Sequence, residues 1–138
     1  MTTGSLKCVE FFWLTLTLNI TAFFSVPYIL DRVGKLGPAV AMSAPKPEPG
    51  VQSAWADRAM KAHSNAVENL VLFAPAVLMA HQIGISTPAT RMAAPVYFFA
   101  RLVHYIVYAT GIPVARTLAY AVGLGATLVL LLSVLRLI

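Results

Sequence analysis

The stretch RAMKAHSNAVENLVLF, Arg58 to Phe73, decides how the whole chain is read. It carries Arg58, Lys61, Asn65 and Glu68 and runs without a break into the apolar segment LVLFAPAVLMA. A helix continuous through both carries Glu68 toward hydrocarbon depth. Ionisable side chains are costly there and face a bundle interior or a polar cavity. The composition agrees. Of 138 residues, 59% are hydrophobic and 11% charged, with a mean hydropathy of +0.77. Ordinary globular domains sit nearer about 45–50% and about 25%. The fold class that follows is all-α, an integral membrane four-helix bundle in one domain.

Working outward, four apolar segments reach the roughly 20 residues needed to cross a bilayer. They are placed at 8–30, 55–81, 89–109 and 114–136, with a Pro-rich surface loop at 31–54. The first segment ends at Pro27–Asp31 without a small-residue cleavage pattern, so it reads as a retained span and not as a signal peptide. Two polar residues sit inside it. Glu10 reads as a helix-end acid at the interface and Asn19 as bonded to a neighbouring helix, or both as part of a polar interior. In the loop, APKPEPG (Ala44 to Gly50) favours extended, polyproline-like backbone.

Ser53 suits the cap of the second helix, and Asp57 suits the positive end of its dipole. Pro75 is tolerated as a kink in a membrane helix. HQIGISTP from His81 reads as a turn, as does TGIP from Thr110. In the fourth segment Gly123, Gly125 and Ala126 favour close helix approach. Lys and Arg in the flanks set orientation. Arg32, Lys35, Lys46, Arg58, Lys61 and Arg116 outweigh Lys7, Arg91 and Arg136, which puts the loops after spans one and three in the cytoplasm and both termini across the membrane.

On a helical wheel at about 100° per residue, Arg58, Lys61, Asn65 and Glu68 share an arc of roughly 80°. His63 lies nearly opposite. In the third helix Tyr97, Arg101, His104 and Tyr108 also share one narrow arc. Both stripes lie toward the same membrane face, where Arg116 opens the fourth helix. A buried acid and a buried base at matching depth will pair, so Glu68 is expected to face Arg101. That pair with Asn65 is either an interhelical clasp or one wall of a site. The excess of cations and tyrosines around it suits an anionic small molecule.

Other chemistries find no footing. Lone Cys8 rules out an intramolecular disulfide and a Cys-based cluster. No His/Cys/Asp/Glu set has metal-ligand spacing, so no metal is expected. Ser64 lacks a base and an orienting group for hydrolysis. Phosphate-loop and dinucleotide fingerprints are missing, and no basic stripe with interleaved aromatics suits nucleic acid.

Two motifs carry a resemblance. R-x-x-K-A-H-x-N-x-x-E-N starts at Arg58, and F-A-R-x-x-H-x-x-x-Y-x-x-G-I-P-x-x-R-T starts at Phe99. Together they resemble the MAPEG family, the membrane-associated proteins in eicosanoid and glutathione metabolism. The bacterial branch and the microsomal glutathione transferases are most similar. The resemblance implies a four-helix protomer in a homotrimer, embedded in a bacterial inner membrane beside lipid, with glutathione bound as co-substrate at the cytoplasmic side between subunits.

Carried over by motif position, Arg58, Lys61, Asn65, Glu68, Arg101, His104 and Tyr108 hold glutathione, and Arg116 is the catalytic residue that stabilises its thiolate. The activity implied is that of a glutathione S-transferase or peroxidase acting on a lipophilic small molecule. Lys61 stands where eicosanoid-making members carry Arg, and Ser64 where prostaglandin-type members carry another Arg. Those departures motivate the alternative, a non-catalytic trimeric membrane binding or scaffold protein that keeps the fold.

Overall fold

The computed structural model describes residues 8–43, 48 and 50–138. Lys7, and most of the stretch read as polyproline-like (44–47 and 49), lie outside the described residues. Every regular element among the described residues is a helix: α1 (Val9–Phe23), α2 (Ser25–Leu36), α3 (Pro38–Ser43), α4 (Ala54–Gln82), α5 (Pro88–Thr110) and α6 (Pro113–Val134).

Three segments are long and apolar enough to cross a membrane: Val9–Leu36, Pro88–Thr110 and Pro113–Val134. The chain is an integral membrane protein by this measure. α4 has the length, at 29 residues, but its polar first half dilutes its apolar content. Four spans were expected, and composition supports three of them directly.

The first span also differs from expectation. It does not stop at residue 30. Helix continues past Asp31 to Leu36, interrupted only at Phe24. Pro27 causes the irregularity, because it has no N–H for the turn before it. The Tyr105 hydroxyl donates to the Phe24 carbonyl (2.8 Å), and the two rings stack at 3.9 Å. Asp31 is helical because its carboxylate has partners: the Ser53 N–H (2.9 Å) and the Ser53 hydroxyl (2.6 Å). Ser53 does occupy the N-cap of α4, but its hydroxyl is committed to Asp31 and makes no cap bond.

Helix starts and stops are local chemistry. Thr87 and Thr90 form a reciprocal capping box at the head of α5, satisfying amides that a helix start leaves open. Pro88 and Pro113 open α5 and α6, where a missing N–H costs nothing. Gly111 ends α5 at φ 84°, a left-handed backbone open to glycine at little cost.

The core lies between α1, α4, α5 and α6. Leu14, Phe73, Val77, Tyr97 and Leu130 fill it, with alanines 76, 93, 94 and 126 between them. The Phe73 and Tyr97 rings stack face to face at 3.6 Å. Ala56, Ala59, Ala62 and Ala66 line the buried face of α4, and small residues of this kind let helices approach closely. This close packing brings the polar stripes of α4 and α5 to the same end of the bundle.

Candidate functional site

The α5 stripe faces inward as the wheel required. Tyr97, Arg101 and His104 are buried, and Tyr108 is half-buried at the end of the row. The α4 arc behaves differently. It straddles the rim of the buried face, so half of it turns in and half turns out. Asn65 and Arg58 turn in. Lys61 and Glu68 are exposed on the outside of the protomer.

The expected pairing of Glu68 with Arg101 within one chain is therefore overturned. The Arg101 guanidinium, 1% exposed, turns elsewhere. One terminal nitrogen donates to the Tyr120 carbonyl (3.2 Å), and the other reaches Asn65 Oδ1 at a long 3.4 Å. The rings of Tyr97 and Tyr120 stand 5.4 and 5.6 Å from its central carbon. Its Nε has no partner. This is a buried cation held by dipoles and π-faces, a partial compensation for lost solvation.

Beside it lies a cleft of about 190 Å³ lined by Asn65, His104, Tyr108, Arg116, Thr117 and Tyr120. The Arg116 guanidinium stacks over the Tyr108 ring at 4.7 Å. His104 meets Tyr108 edge-on at 5.6 Å. His104 is 2% exposed and its Nδ1 has no partner. Buried polar atoms in folded proteins nearly always have partners. Here Arg101 Nε, His104 Nδ1 and the Tyr97 hydroxyl all lack one, on a single face of α5. Among the described residues, no carboxylate lines the cleft. The arrangement offers Arg116, with Arg101 beside it, and neutral donors.

Four of the eight residues picked out by sequence, Asn65, His104, Tyr108 and Arg116, line this cleft, and Arg101 adjoins it through Asn65. Arg58 does something else. Its Nε donates to the Ala109 carbonyl at 2.8 Å and rests against Gly111, tying the start of α4 to the α5–α6 turn. Thr117 and Tyr120 were missed. The signal for Tyr120 was present: it lies four residues after Arg116, on the same helical face.

His63, read as lying opposite the polar arc, bonds the Tyr28 hydroxyl through Nδ1 (2.7 Å) and so joins α2 to α4. Asn19 bonds its own helix at the Thr15 carbonyl (2.8 Å) and reaches no neighbouring helix among the described residues. Gly125 has open space around it and supports no close approach.

The far end of the bundle holds the other buried charge. Glu10, 3% exposed, accepts from Thr90 Oγ1 (2.7 Å), Ser86 Oγ (2.9 Å) and the Cys8 thiol (3.4 Å). Among the described residues, no trio of His, Cys, Asp or Glu is placed to hold a metal ion.

The sequence model of the MAPEG family matches residues 11–136, nearly the whole chain. No curated protein and no solved structure shows a match.

Proposed function

The chain belongs to the MAPEG family, and we propose that its α4–α5–α6 cleft binds glutathione and presents the thiolate to a lipophilic electrophile from the bilayer. The single observation that carries this reading is a cleft lined by Arg116 and neutral donors, adjoined by the buried Arg101, with no acid among its described lining residues. Glutathione supplies two carboxylates, and Arg101, Arg116 and the neutral donors around them would receive one. Its thiol has an unperturbed pKa of about 8.5. A guanidinium beside it favours the thiolate, which is the nucleophile. Arg116, half-buried at the mouth of the cleft, is the group for that role. With a chloronitroarene acceptor, the thiolate sulfur forms a bond to the ring carbon and chloride leaves.

The cleft supports an assembly of protomers, which we take to be the homotrimer. Its volume of about 190 Å³ falls below the roughly 300 Å³ at which pockets for drug-sized ligands begin. A tripeptide must extend beyond it. α4 is 29 residues long, about nine more than a bilayer requires. If the surplus lies at its polar start, the helix is a fourth span, and Glu68 stands roughly 9 Å inside the hydrocarbon at 1.5 Å per residue. An exposed carboxylate facing lipid at that depth is costly. A neighbouring protomer that covers Lys61 and Glu68 removes that cost and brings both to the rim of a shared site. The charge bias supports a cytoplasmic position for this end, and the resemblance to bacterial members supports a bacterial inner membrane.

Reconstituted protein should conjugate glutathione to chlorodinitrobenzene, and Arg116→Ala should lower the rate by about 10²-fold, the usual loss when one transition-state donor is removed. Absence of turnover, together with absence of glutathione heat in calorimetry, defeats the proposal and leaves a non-catalytic membrane scaffold.

A further inference from the structure

Gly123 sits in the middle of α6 on its buried stripe, between Ala119 and Thr127. A glycine there weakens the helix relative to alanine. Its reason is visible in what a side chain would meet. A Cβ built on Gly123 would lie 2.8 Å from both Cζ and Nε of Arg101 and would overlap its terminal nitrogen. The three nearest atoms all belong to the Arg101 side chain. The missing methyl is filled by a guanidinium.

We propose that Gly123 is the positioning residue for Arg101: it is the notch in α6 that lets a long cationic side chain from α5 seat itself between the helices, reaching Asn65 and the Tyr120 carbonyl. The geometry ties three helices to that seat. Arg101 comes from α5, Asn65 from α4, and both the notch and the Tyr120 carbonyl from α6. The guanidinium lies over the rings of Tyr97 and Tyr120, and a methyl at position 123 would overlap it and displace this flexible far end of the side chain. The head must leave its bonds to Asn65 and Tyr120, and the charge beside the cleft moves with it. The consequence for ligand binding rests on the glutathione reading above. The seating does not.

The test is a double-substitution cycle in the full chain in detergent, using Gly123→Ala, Arg101→Met and the two combined. Methionine is unbranched and flexible and has no guanidinium head to displace. Without ligand, Gly123→Ala should lower the melting midpoint by about 5 °C in the wild-type background. In the Arg101→Met background it should leave the midpoint unchanged or raise it, as alanine is the better helix former. Equal shifts in both backgrounds overturn the proposal, because the glycine then acts without Arg101.

Calorimetry with glutathione supplies a second reading at a temperature where every variant is folded. Gly123→Ala should weaken binding at least about tenfold in the wild-type background, as for one lost hydrogen bond to a charged group, and should add nothing to Arg101→Met. An undiminished affinity in Gly123→Ala overturns the positioning role. If wild-type protein gives no glutathione heat, the functional reading fails, and the melting cycle still decides the role of Gly123.

Discussion

Glu10 and Arg101, the buried carboxylate and the buried guanidinium among the described residues, are treated in opposite ways. Glu10 is 3% exposed and has three side-chain donors, two from the head of α5 and one from its own helix start. Its shell is complete, and the result is a lock between α1 and the head of α5. Arg101 is 1% exposed, has one bond of ordinary length and one long one, and keeps an unpartnered Nε. Its shell is incomplete, and through Asn65 it adjoins a cleft lined by Arg116 and an unpartnered His104. A charge that folding satisfies fully serves stability. A charge that folding buries and leaves short marks where something else is meant to bind.

The contrast can be broken most sharply at Arg101. Arg101→Met should reduce glutathione affinity by about 10²-fold, in the range measured when one member of a buried charge pair is removed. In the absence of ligand it should leave the melting midpoint level or higher, since an apolar residue of similar volume removes an uncompensated charge. A strongly lowered midpoint in the unliganded protein would mean that the Arg101 shell is complete after all.

Glu10→Gln should show the reverse. Stability falls by about 1.5–3 kcal/mol, the worth of hydrogen bonds to a charged group, seen as a lower melting midpoint with and without glutathione. Affinity at the cleft stays as it was. The smallest effect should come from Tyr28→Phe, which removes one neutral bond to His63 and costs about 0.5–1.5 kcal/mol. It should loosen α2 from α4 and leave glutathione calorimetry unchanged, showing that polar contacts outside the cleft do not tune it.

Much of this was readable before any coordinates. The apolar runs, the breakers at Gly111 and Pro113 and the proline at the head of α5 define the helices, because each is set by neighbours in the chain. The α5 stripe was legible because its arc coincides with the centre of a buried face. The α4 arc was legible as a stripe and not as a side. Roughly 80° of polar surface fits either across a rim or inside it, and only packing of Ala59, Ala62 and Ala66 against the other helices decides. Hence Asn65 turns in, while Glu68 turns out and does not meet Arg101 within one chain.

Glu10 looked like an interfacial acid because its donors, Ser86 and Thr90, lie far along the chain and have no local signature. Asp31 looked like the start of a loop for the same reason, with Ser53 as its distant partner. Gly123 drew notice as a small residue on a membrane helix. Its purpose was hidden, because the neighbour it accommodates is a side chain from another helix and not a backbone.

The clasp from Arg58 to the Ala109 carbonyl has its own consequence. It fastens the first turns of α4 to the corner from which Arg116 departs, so the distance across the cleft is fixed by the protein alone. A ligand arriving there would find the walls that one protomer supplies already assembled. Little of its interaction energy goes into ordering the walls, and a short polar molecule can be held by few bonds at the edge of a membrane.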